Sequence, residues 1–210
     1  MKKITALAAL AAAPYFLYAQ GVSGSVALVS NYIDRGESLS DDKPALQAEL
    51  VYDRNSGPFL GAALSTIHDP IKESHGGEAE LSVGYGFGAG LLELEVGLSH
   101  HEATIKGFKS HQEAFIGAGL NGFWLEFSHG LTSDENDRER YLALSYEAAF
   151  DGWFEYWLHI GLEEDDGDRN TDYAAGLSRE VASNLTVGAA LTHADKTKGL
   201  LLISRAFGEN

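Results

Sequence analysis

Ten glutamates recur at alternate positions of apolar segments, and their spacing is the strongest chemical signal in the sequence. In the segment 91–100, Glu93 and Glu95 alternate with leucine and valine. A period of two puts carboxylates on one face of a β-strand and apolar side chains on the other. Because hardly any Lys or Arg shares this parity, the face would be acidic and would favour cations over anions. The ten are Glu49, Glu78, Glu80, Glu93, Glu95, Glu113, Glu126, Glu147, Glu155 and Glu180.

The neighbours of these glutamates on the same face are small. Unpaired carboxylates in a dry core would each cost several kcal/mol, so we expect them to be solvated, with the small neighbours leaving volume for water. In the alternative interpretation the glutamates only solubilise this face and meet loop residues such as Arg35, Lys72 and Lys106. Small residues of this parity are Gly84, Gly86, Gly97, Gly117, Gly119, Ala143, Ser145, Gly161, Gly176, Gly188 and Ala190.

Serine and histidine could serve acyl hydrolysis if a hydroxyl lay beside an imidazole that an acidic or amide group orients. Serine directly precedes histidine at, among others, Ser99-His100 and Ser128-His129. Within a strand, adjacent residues point to opposite faces, so neither pair can act as a unit. Acyl hydrolysis therefore stays the less favoured hypothesis.

Metal binding has no diagnostic spacing in this chain. The acidic run 163–168 lacks the spacing and closing glutamate of a calcium loop. Histidines cluster near predicted loop ends without zinc-ligand spacing, and we predict no metal and no cofactor. The histidines are His68, His75, His100, His101, His111, His129, His159 and His193.

The charge of the chain excludes several classes of function. The formal net charge is −16, and the leader described below removes two lysines, which leaves 13 basic against 31 acidic residues. Nucleic acid needs Lys and Arg for its phosphates, so it is an implausible partner. There is no cysteine, hence neither a disulfide framework nor a lipid-modified N-terminal cysteine.

Residues 1–19 have the form of a cleaved signal peptide, with Lys2 and Lys3 before an apolar run and a cleavage site after Ala19. No Pro-rich or Gly/Ser-rich linker divides the remainder. We therefore expect residues 20–210 to form a single domain, exported through the periplasm.

Period-two alternation continues through the whole mature chain and predicts about twelve strands. The connections alternate between short turns, such as Asn121-Gly122, and longer polar loops: 35–43, 67–77, 101–109, 130–139, 163–171 and 195–199. This alternation is typical of up-and-down antiparallel transmembrane β-barrels, which have tight turns at one end and longer loops at the other. The predicted strands are 22–34, 44–53, 59–66, 78–87, 91–100, 110–120, 123–129, 140–148, 153–162, 172–180, 185–194 and 200–207.

Aromatic residues near the predicted short turns support the assignment of these turns to one end of a membrane barrel. Those of outward parity would form the aromatic belt at one membrane interface. The residues are Tyr52, Phe59, Tyr85, Phe87, Phe123, Tyr146, Phe150 and Phe154.

The first two strand segments carry a motif: Val26-Ala27-Leu28-Val29-Ser30-Asn31-Tyr32, then Arg35-Gly36, Ser38 and Pro44-Ala45-Leu46-Gln47. It resembles the Gcw_chp proteins of proteobacteria, also called TorF-type porins. The resemblance implies an outer-membrane barrel with a pore function and supplies no catalytic residues. Two departures are Glu37, where an apolar residue is expected, and the continuation past the terminal aromatic Phe207.

Taken together, these features predict an all-β barrel in the bacterial outer membrane that is not an enzyme. Its expected role is a porin that passes small hydrophilic solutes through a narrow, acidic, weakly cation-preferring lumen. Outer-membrane lipid, lipopolysaccharide and the barrel assembly machinery are its expected partners. The main alternative is a non-conducting barrel that is structural or binds a ligand or a surface partner. An outer-membrane hydrolase at the barrel rim is the less favoured alternative.

Overall fold

A computed structural model describes residues 21–53, 57–69, 74–105, 110–131, 139–150, 153–165 and 167–208. The predicted signal peptide, Lys72 and Lys106 lie outside these ranges. None of the ranges contains a helix that is long and apolar enough to cross a membrane. The strands are β1 Gly21–Val29, β2 Ile33–Asp34, β3 Glu37–Ser38, β4 Ala45–Asp53, β5 Gly57–Asp69, β6 Ser74–Ala89, β7 Leu92–Ala103, β8 His111–Leu120, β9 Phe123–Gly130, β10 Arg140–Phe150, β11 Phe154–Asp165, β12 Asp168–Ala182, β13 Leu185–His193 and β14 Thr197–Gly208.

Twelve of the strands in the described part of the chain close into one antiparallel barrel, with sequence neighbours adjacent in the sheet. β1 closes the ring, because Val26 lies opposite Ala48 of β4 on one side and opposite Arg205 of β14 on the other. The two remaining strands, β2 and β3, pair only with each other. The prediction of an all-β, up-and-down barrel of about twelve strands is confirmed.

The outside of the barrel is apolar. Large hydrophobic side chains are exposed on every strand of the ring, and Leu201, for example, exposes 66% of its surface. Soluble monomers rarely expose apolar patches beyond a few hundred Å², whereas the lipid-facing side of a membrane barrel requires an apolar band. One such residue per strand is Leu28, Leu50, Leu64, Leu81, Leu98, Ile116, Leu125, Leu144, Leu158, Leu177, Leu191 and Leu201.

The short turns have the backbone conformations that their residues favour. Asn121 and Gly122 both have positive φ, 53° and 86°, as a type I′ turn requires. Asn184, with φ of 60°, lies in the turn between β12 and β13. The predicted hairpin at Asn121-Gly122 is confirmed.

Several predicted strand boundaries are wrong at the other end of the barrel. The first strand ends at Val29 instead of residue 34. The predicted loops 67–77 and 163–171 are largely paired, since β5 runs to Asp69 and β11 to Asp165. Backbone pairing continues there beyond the apolar band, among polar side chains whose sequence lacks the alternation that marks a strand.

Aromatic side chains cluster outside the barrel near the short turns. Six of the eight predicted residues are exposed, and Tyr146 packs between the rings of Phe123 and Tyr156 at centroid distances of 4.5 and 6.0 Å. Phe59 instead points inward and is only 2% exposed. The exposed six are Tyr52, Tyr85, Phe87, Phe123, Phe150 and Phe154.

Aromatic rings also lie inside the barrel, over glycines of the adjacent strand. Phe59 is the cross-strand partner of Gly84, and Phe115 is that of Gly97. A Cβ atom at Gly84 would lie only 2.5 Å from Cε1 of Phe59. The expectation that small residues leave volume for water is therefore wrong at these positions, because the rings occupy it. Other rings over glycines are Trp124 at Gly117 and Gly119, Tyr141 at Gly161, and Trp157 at Gly176.

Replacing Gly84 with alanine should destabilise the barrel by about 1–3 kcal/mol, because the added methyl group forces the Phe59 ring off the wall. Gly86→Ala is the matched control, since Gly86 lies two residues further on the same face. The nearest atom to a Cβ at Gly86 would be the backbone oxygen of Gly57, at 4.0 Å. Urea unfolding in lipid vesicles, followed by tryptophan fluorescence, measures the difference. Equal midpoints for the two variants would contradict the packing argument.

Candidate functional site

The interior of the barrel carries the ten glutamates that the sequence singles out. All ten lie on strands of the ring, on the parity opposite to the exposed apolar side chains. Glu95, Glu113 and Glu126 are buried, whereas Glu180 is exposed near the short-turn end of β12. Partial exposure is shared by the other six: Glu49, Glu78, Glu80, Glu93, Glu147 and Glu155.

The register brings some of these carboxylates together. Glu95 and Glu126 both lie opposite Gly117, one on each side of β8. Their only described cross-strand neighbours on this row are glycine or alanine. Glu49 and Glu80 are related in the same way, since both lie opposite Ala63, one on each side of β5.

A histidine pair lies at the loop end of the same wall. The rings of His101 and His111 stack with centroids 4.3 Å apart. His101 Nδ1 lies 3.7 Å from Glu78 Oε1, and His101 is the cross-strand partner of Glu80. Among the described residues no group of three or more His, Asp or Glu side chains could hold a metal ion.

The first long loop folds into the barrel instead of projecting from it. Its hairpin, formed by β2 and β3 around the turn Arg35-Gly36, inserts Ile33 among inward-facing side chains, and Ile33 is 1% exposed. We call residues 31–40 the lumen hairpin. Ile33 packs against four wall residues from β11 to β14: Trp157, Ala174, Ala190 and Leu200.

Arg35 carries the lumen hairpin to the opposite wall. β9 lies halfway round the ring from β1, the strand from which the hairpin starts. Arg35 Nη2 donates to Glu113 Oε2 on β8 at 2.7 Å and to Ser128 Oγ on β9 at 3.2 Å. Its Nη1 pairs with Glu139, and the guanidinium lies 4.6 Å from the ring centroid of Tyr141 on β10.

Tyr32 makes a second contact between the hairpin and the wall. Its hydroxyl donates to Glu78 Oε2 of β6 at 3.0 Å. Two of the ten glutamates, Glu78 and Glu113, are thus bound by side chains of the first loop. Asp34, at the hairpin turn, has a pKa raised by burial, an effect that the neighbouring Arg35 charge partly offsets.

Polar contacts fix the base of the hairpin. Asn31 Nδ2 donates to Asp42 Oδ1 at 2.7 Å, and the hydroxyls of Ser38 and Ser40 donate to Asn31 Oδ1 at 2.6 and 3.0 Å. Lys198 of β14 lies 2.8 Å from Asp42 Oδ1, and this hydrogen bond lowers the pKa of the Asp42 carboxyl. The loop is therefore tied to the barrel wall beside its own strand.

The tip of the hairpin fits closely against β12 and against the residue that follows β13. Gly36 has a φ of +82°, and a Cβ atom there would lie 2.6 Å from Ala194 Cβ and 2.9 Å from Asp172 Cβ. Glycine is required at this position both for the backbone conformation and for the close approach.

A buried polar network lies below the tip and spans β10, β11 and β12. Tyr141 donates to Asp172 Oδ2 at 3.0 Å, and its oxygen is 2.9 Å from His159 Nε2. His159 Nδ1 lies 2.8 Å from Ser145 Oγ, and Nε2 lies 3.2 Å from Asp172 Oδ1. In serine hydrolases the carboxylate binds Nδ1 and the serine binds Nε2, so the order here is reversed. We interpret the network as a brace that fixes Tyr141.

In the pairs Ser99-His100 and Ser128-His129 the serine and the histidine point to opposite faces of the sheet. Ser128 is buried inside the barrel, where it binds Arg35, and His129 has the opposite parity. Ser99 is buried, and the side chain of His100 is 42% exposed. Neither serine has its sequence neighbour as a base.

Sequence reasoning missed the residues that assemble this site across the lumen. Tyr32 and Ile33 were placed in the first strand, and Ser128, Glu139 and Tyr141 were not linked to Arg35. The available signal was Gly36. Glycine readily adopts the positive φ that a two-residue hairpin turn requires, and in the structure both Arg35 and Gly36 have positive φ. Arg35 was named only as an alternative partner for the glutamates.

Solved outer-membrane barrels share this fold at low sequence identity. The KdgM porin matches with a TM-score of 0.68 and 8% identity, over 90% of this chain and 99% of that one. An outer-membrane channel from Pseudomonas putida F1 matches with a TM-score of 0.58 and 12% identity, over 93% and 98%. Omp33 of Acinetobacter baumannii gives 0.55 and 9%, over 90% and 97%. These likenesses establish the fold.

No curated protein matches the chain. A family model described as "Bacterial protein of unknown function (Gcw_chp)" matches residues 9–208, nearly the whole length of the sequence. The resemblance noted in the first two strands therefore extends from end to end, and the chain belongs to the Gcw_chp family.

Proposed function

We propose that the protein is an outer-membrane channel for small hydrophilic solutes, with a weak preference for cations. The observation that carries the proposal is the closed barrel itself, apolar outside and lined inside by carboxylates. The apolar exterior supports a position in the lipid of the outer membrane. Lipopolysaccharide around the loop end, and export through the periplasm to the assembly machinery, belong to the same proposal. Neither Ser-His pair supports a hydrolase.

The preference for cations follows from the charges that remain unpaired. Arg35 is bound to Glu113 and Glu139, so its charge is offset within the lumen. Glu93 and Glu95, on β7, have no cationic side chain among their described cross-strand partners. Carboxylates that line an aqueous path raise the local concentration of cations and lower that of anions.

This charge distribution also separates the chain from one structural neighbour. The KdgM porin has been captured with oligogalacturonate, whose sugar units carry carboxylates. An acidic lumen would repel such a polyanion, so we expect the solutes of this protein to be neutral or cationic.

The lumen hairpin favours a second candidate function. The hairpin starts beside β1 and Arg35 reaches β8 and β9, halfway round the ring, so the hairpin crosses the lumen and obstructs the path that a solute would take. A barrel that stays closed in this way would serve binding or structure instead of conduction. Planar-bilayer recordings of the purified wild-type protein separate the two, since a barrel without any ionic current cannot be a channel.

Neutralising Glu93 and Glu95 together should reduce the cation preference. The double variant Glu93→Gln/Glu95→Gln removes two carboxylates from the lumen wall and changes little in size. The reversal potential in a salt gradient measures the effect. The matched control is Glu102→Gln/Glu164→Gln, because these carboxylates are exposed at the loop ends of β7 and β11. If both double variants keep the wild-type reversal potential, Glu93 and Glu95 do not line the path.

A further inference from the structure

Arg35 occupies a backbone position that disfavours arginine. Its φ is +45°, in the left-handed region that glycine and asparagine adopt more readily. A two-residue turn of this kind is usually built from Asn-Gly or Gly-Gly, so arginine weakens the turn locally. The stabilising free energy that offsets this strain must come from contacts of the Arg35 side chain. The guanidinium group lies among polar and aromatic side chains of the barrel wall.

Four wall residues form a site that we call the guanidinium pocket: Glu113, Ser128, Glu139 and Tyr141. They supply two carboxylates, a hydroxyl oxygen and an aromatic face to the guanidinium of Arg35. Forked hydrogen bonds to carboxylates and stacking on a ring are the contacts that distinguish guanidinium from ammonium. The pocket therefore has the chemistry of a guanidinium-binding site.

The backbone that carries the pocket belongs to the barrel wall and not to the hairpin. The pocket residues lie on β8, β9 and β10 or directly before β10, and Tyr141 is held from behind by Asp172 and His159. A pocket that is formed before its ligand arrives binds more tightly, because little ordering is left to do. Withdrawal of Arg35 would leave two carboxylates facing each other without a cation, which is unfavourable.

We propose that the guanidinium pocket binds guanidinium-bearing solutes, which compete with Arg35 and release the lumen hairpin from the far wall. The proposal rests on the channel function, since it names the solute class that opens the path. The side chain of Glu139 is 28% exposed and that of Glu113 only 6%, so a solute reaches the pocket from the Glu139 side. A solute that binds only the released state shifts the hairpin equilibrium in proportion to its occupancy.

The test compares methylguanidinium with methylammonium, which share their charge and methyl group. In the wild-type barrel in detergent micelles, methylguanidinium should accelerate amide hydrogen exchange of residues 31–40 in a saturable manner, and methylammonium should not. Glu113→Gln should weaken this response on the order of tenfold. Glu164→Gln, which removes an exposed carboxylate paired with Arg169, is the control.

A second variant keeps the test decisive if Glu113→Gln fails to fold. Arg35→Ala empties the pocket, so calorimetric titration should show methylguanidinium binding on the order of tenfold more tightly than methylammonium. Equal binding of the two cations to Arg35→Ala, or equal exchange responses in the wild type, would overturn the proposal. Neither readout needs a current. A barrel that binds methylguanidinium without conducting refutes only the channel function. A barrel that conducts but gives the same exchange response and the same binding for both cations refutes only this inference.

Discussion

A barrel whose first loop is cut back to a tight turn is expected to conduct several-fold more current than the wild type. In this variant an Asn-Gly turn replaces residues 30–44. The barrel can accept it, because Val29 and Ala45 are direct cross-strand partners. The loss of Ile33, Arg35 and Tyr32 frees the lumen from wall to wall. Single-channel recording in planar bilayers measures the step size.

The control for this loop variant trims the exposed end of the β11–β12 hairpin and keeps Glu163, which interacts with Glu139. Residues 164–169 are replaced by the same turn, since Glu163 and Asn170 are also direct partners. This barrel should keep the wild-type step size. If the first-loop variant also kept it, the hairpin would not be the obstruction that its contacts suggest.

Replacing Gly36 with alanine should dislodge the hairpin while leaving the chain intact. The added Cβ would overlap Ala194 and Asp172, so the tip must move away from β12 and carry Arg35 with it. We expect rapid trypsin cleavage after Arg35, whose side chain is 17% exposed in the seated hairpin, together with a larger current.

Gly90→Ala is the matched control for the backbone conformation. Gly90 also has a positive φ, +72°, but nothing lies within 4 Å of its Cβ position. Both variants bear the left-handed cost of roughly 1–2 kcal/mol, and only Gly36→Ala adds the clash with the wall. Similar cleavage and similar currents in the two variants would show that contact between the tip and β12 does not hold the hairpin.

The twelve-stranded ring could be predicted from the sequence because the patterns that indicate its strands and turns are local. Leucines and valines at every second position mark an outer face that is uniformly apolar, and Asn121-Gly122 marks a turn whatever surrounds it. The strand ends were less accessible, since pairing beyond residue 66 or residue 162 continues among polar side chains. No change in hydropathy marks where this strand pairing stops.

The lumen hairpin could not be predicted from the sequence, because its position depends on contacts between distant parts of the chain. Ile33 continues a run of β-forming residues, and only the wall from β11 to β14 makes it a lumen residue. Arg35 is separated from Glu113 by 78 positions, and no local pattern connects them. The rings of Phe59 and Phe115 were overlooked as lumen fillers for the same reason, since the register decides which glycine each covers.

The seam between β1 and β14 has a consequence for how the barrel assembles. Every other pair in the ring joins segments that follow each other along the chain, whereas the seam joins Ser23 to Gly208. Joining the ends of a long chain is the entropically expensive step, and non-local pairings slow folding. An open sheet with the same eleven remaining pairings would have β1 at one edge and β14 at the other.

The lumen hairpin bridges those two edges. Its root continues from β1, and Ile33 packs on Leu200 of β14. Lys198 of β14 binds Asp42, which also accepts a hydrogen bond from Asn31 of the hairpin. These contacts exist together only when the ring is closed, so their free energy counts toward closure alone. The segment that obstructs the lumen of the finished barrel therefore also acts as a latch, and it makes opening of the seam and loss of the hairpin a single cooperative event.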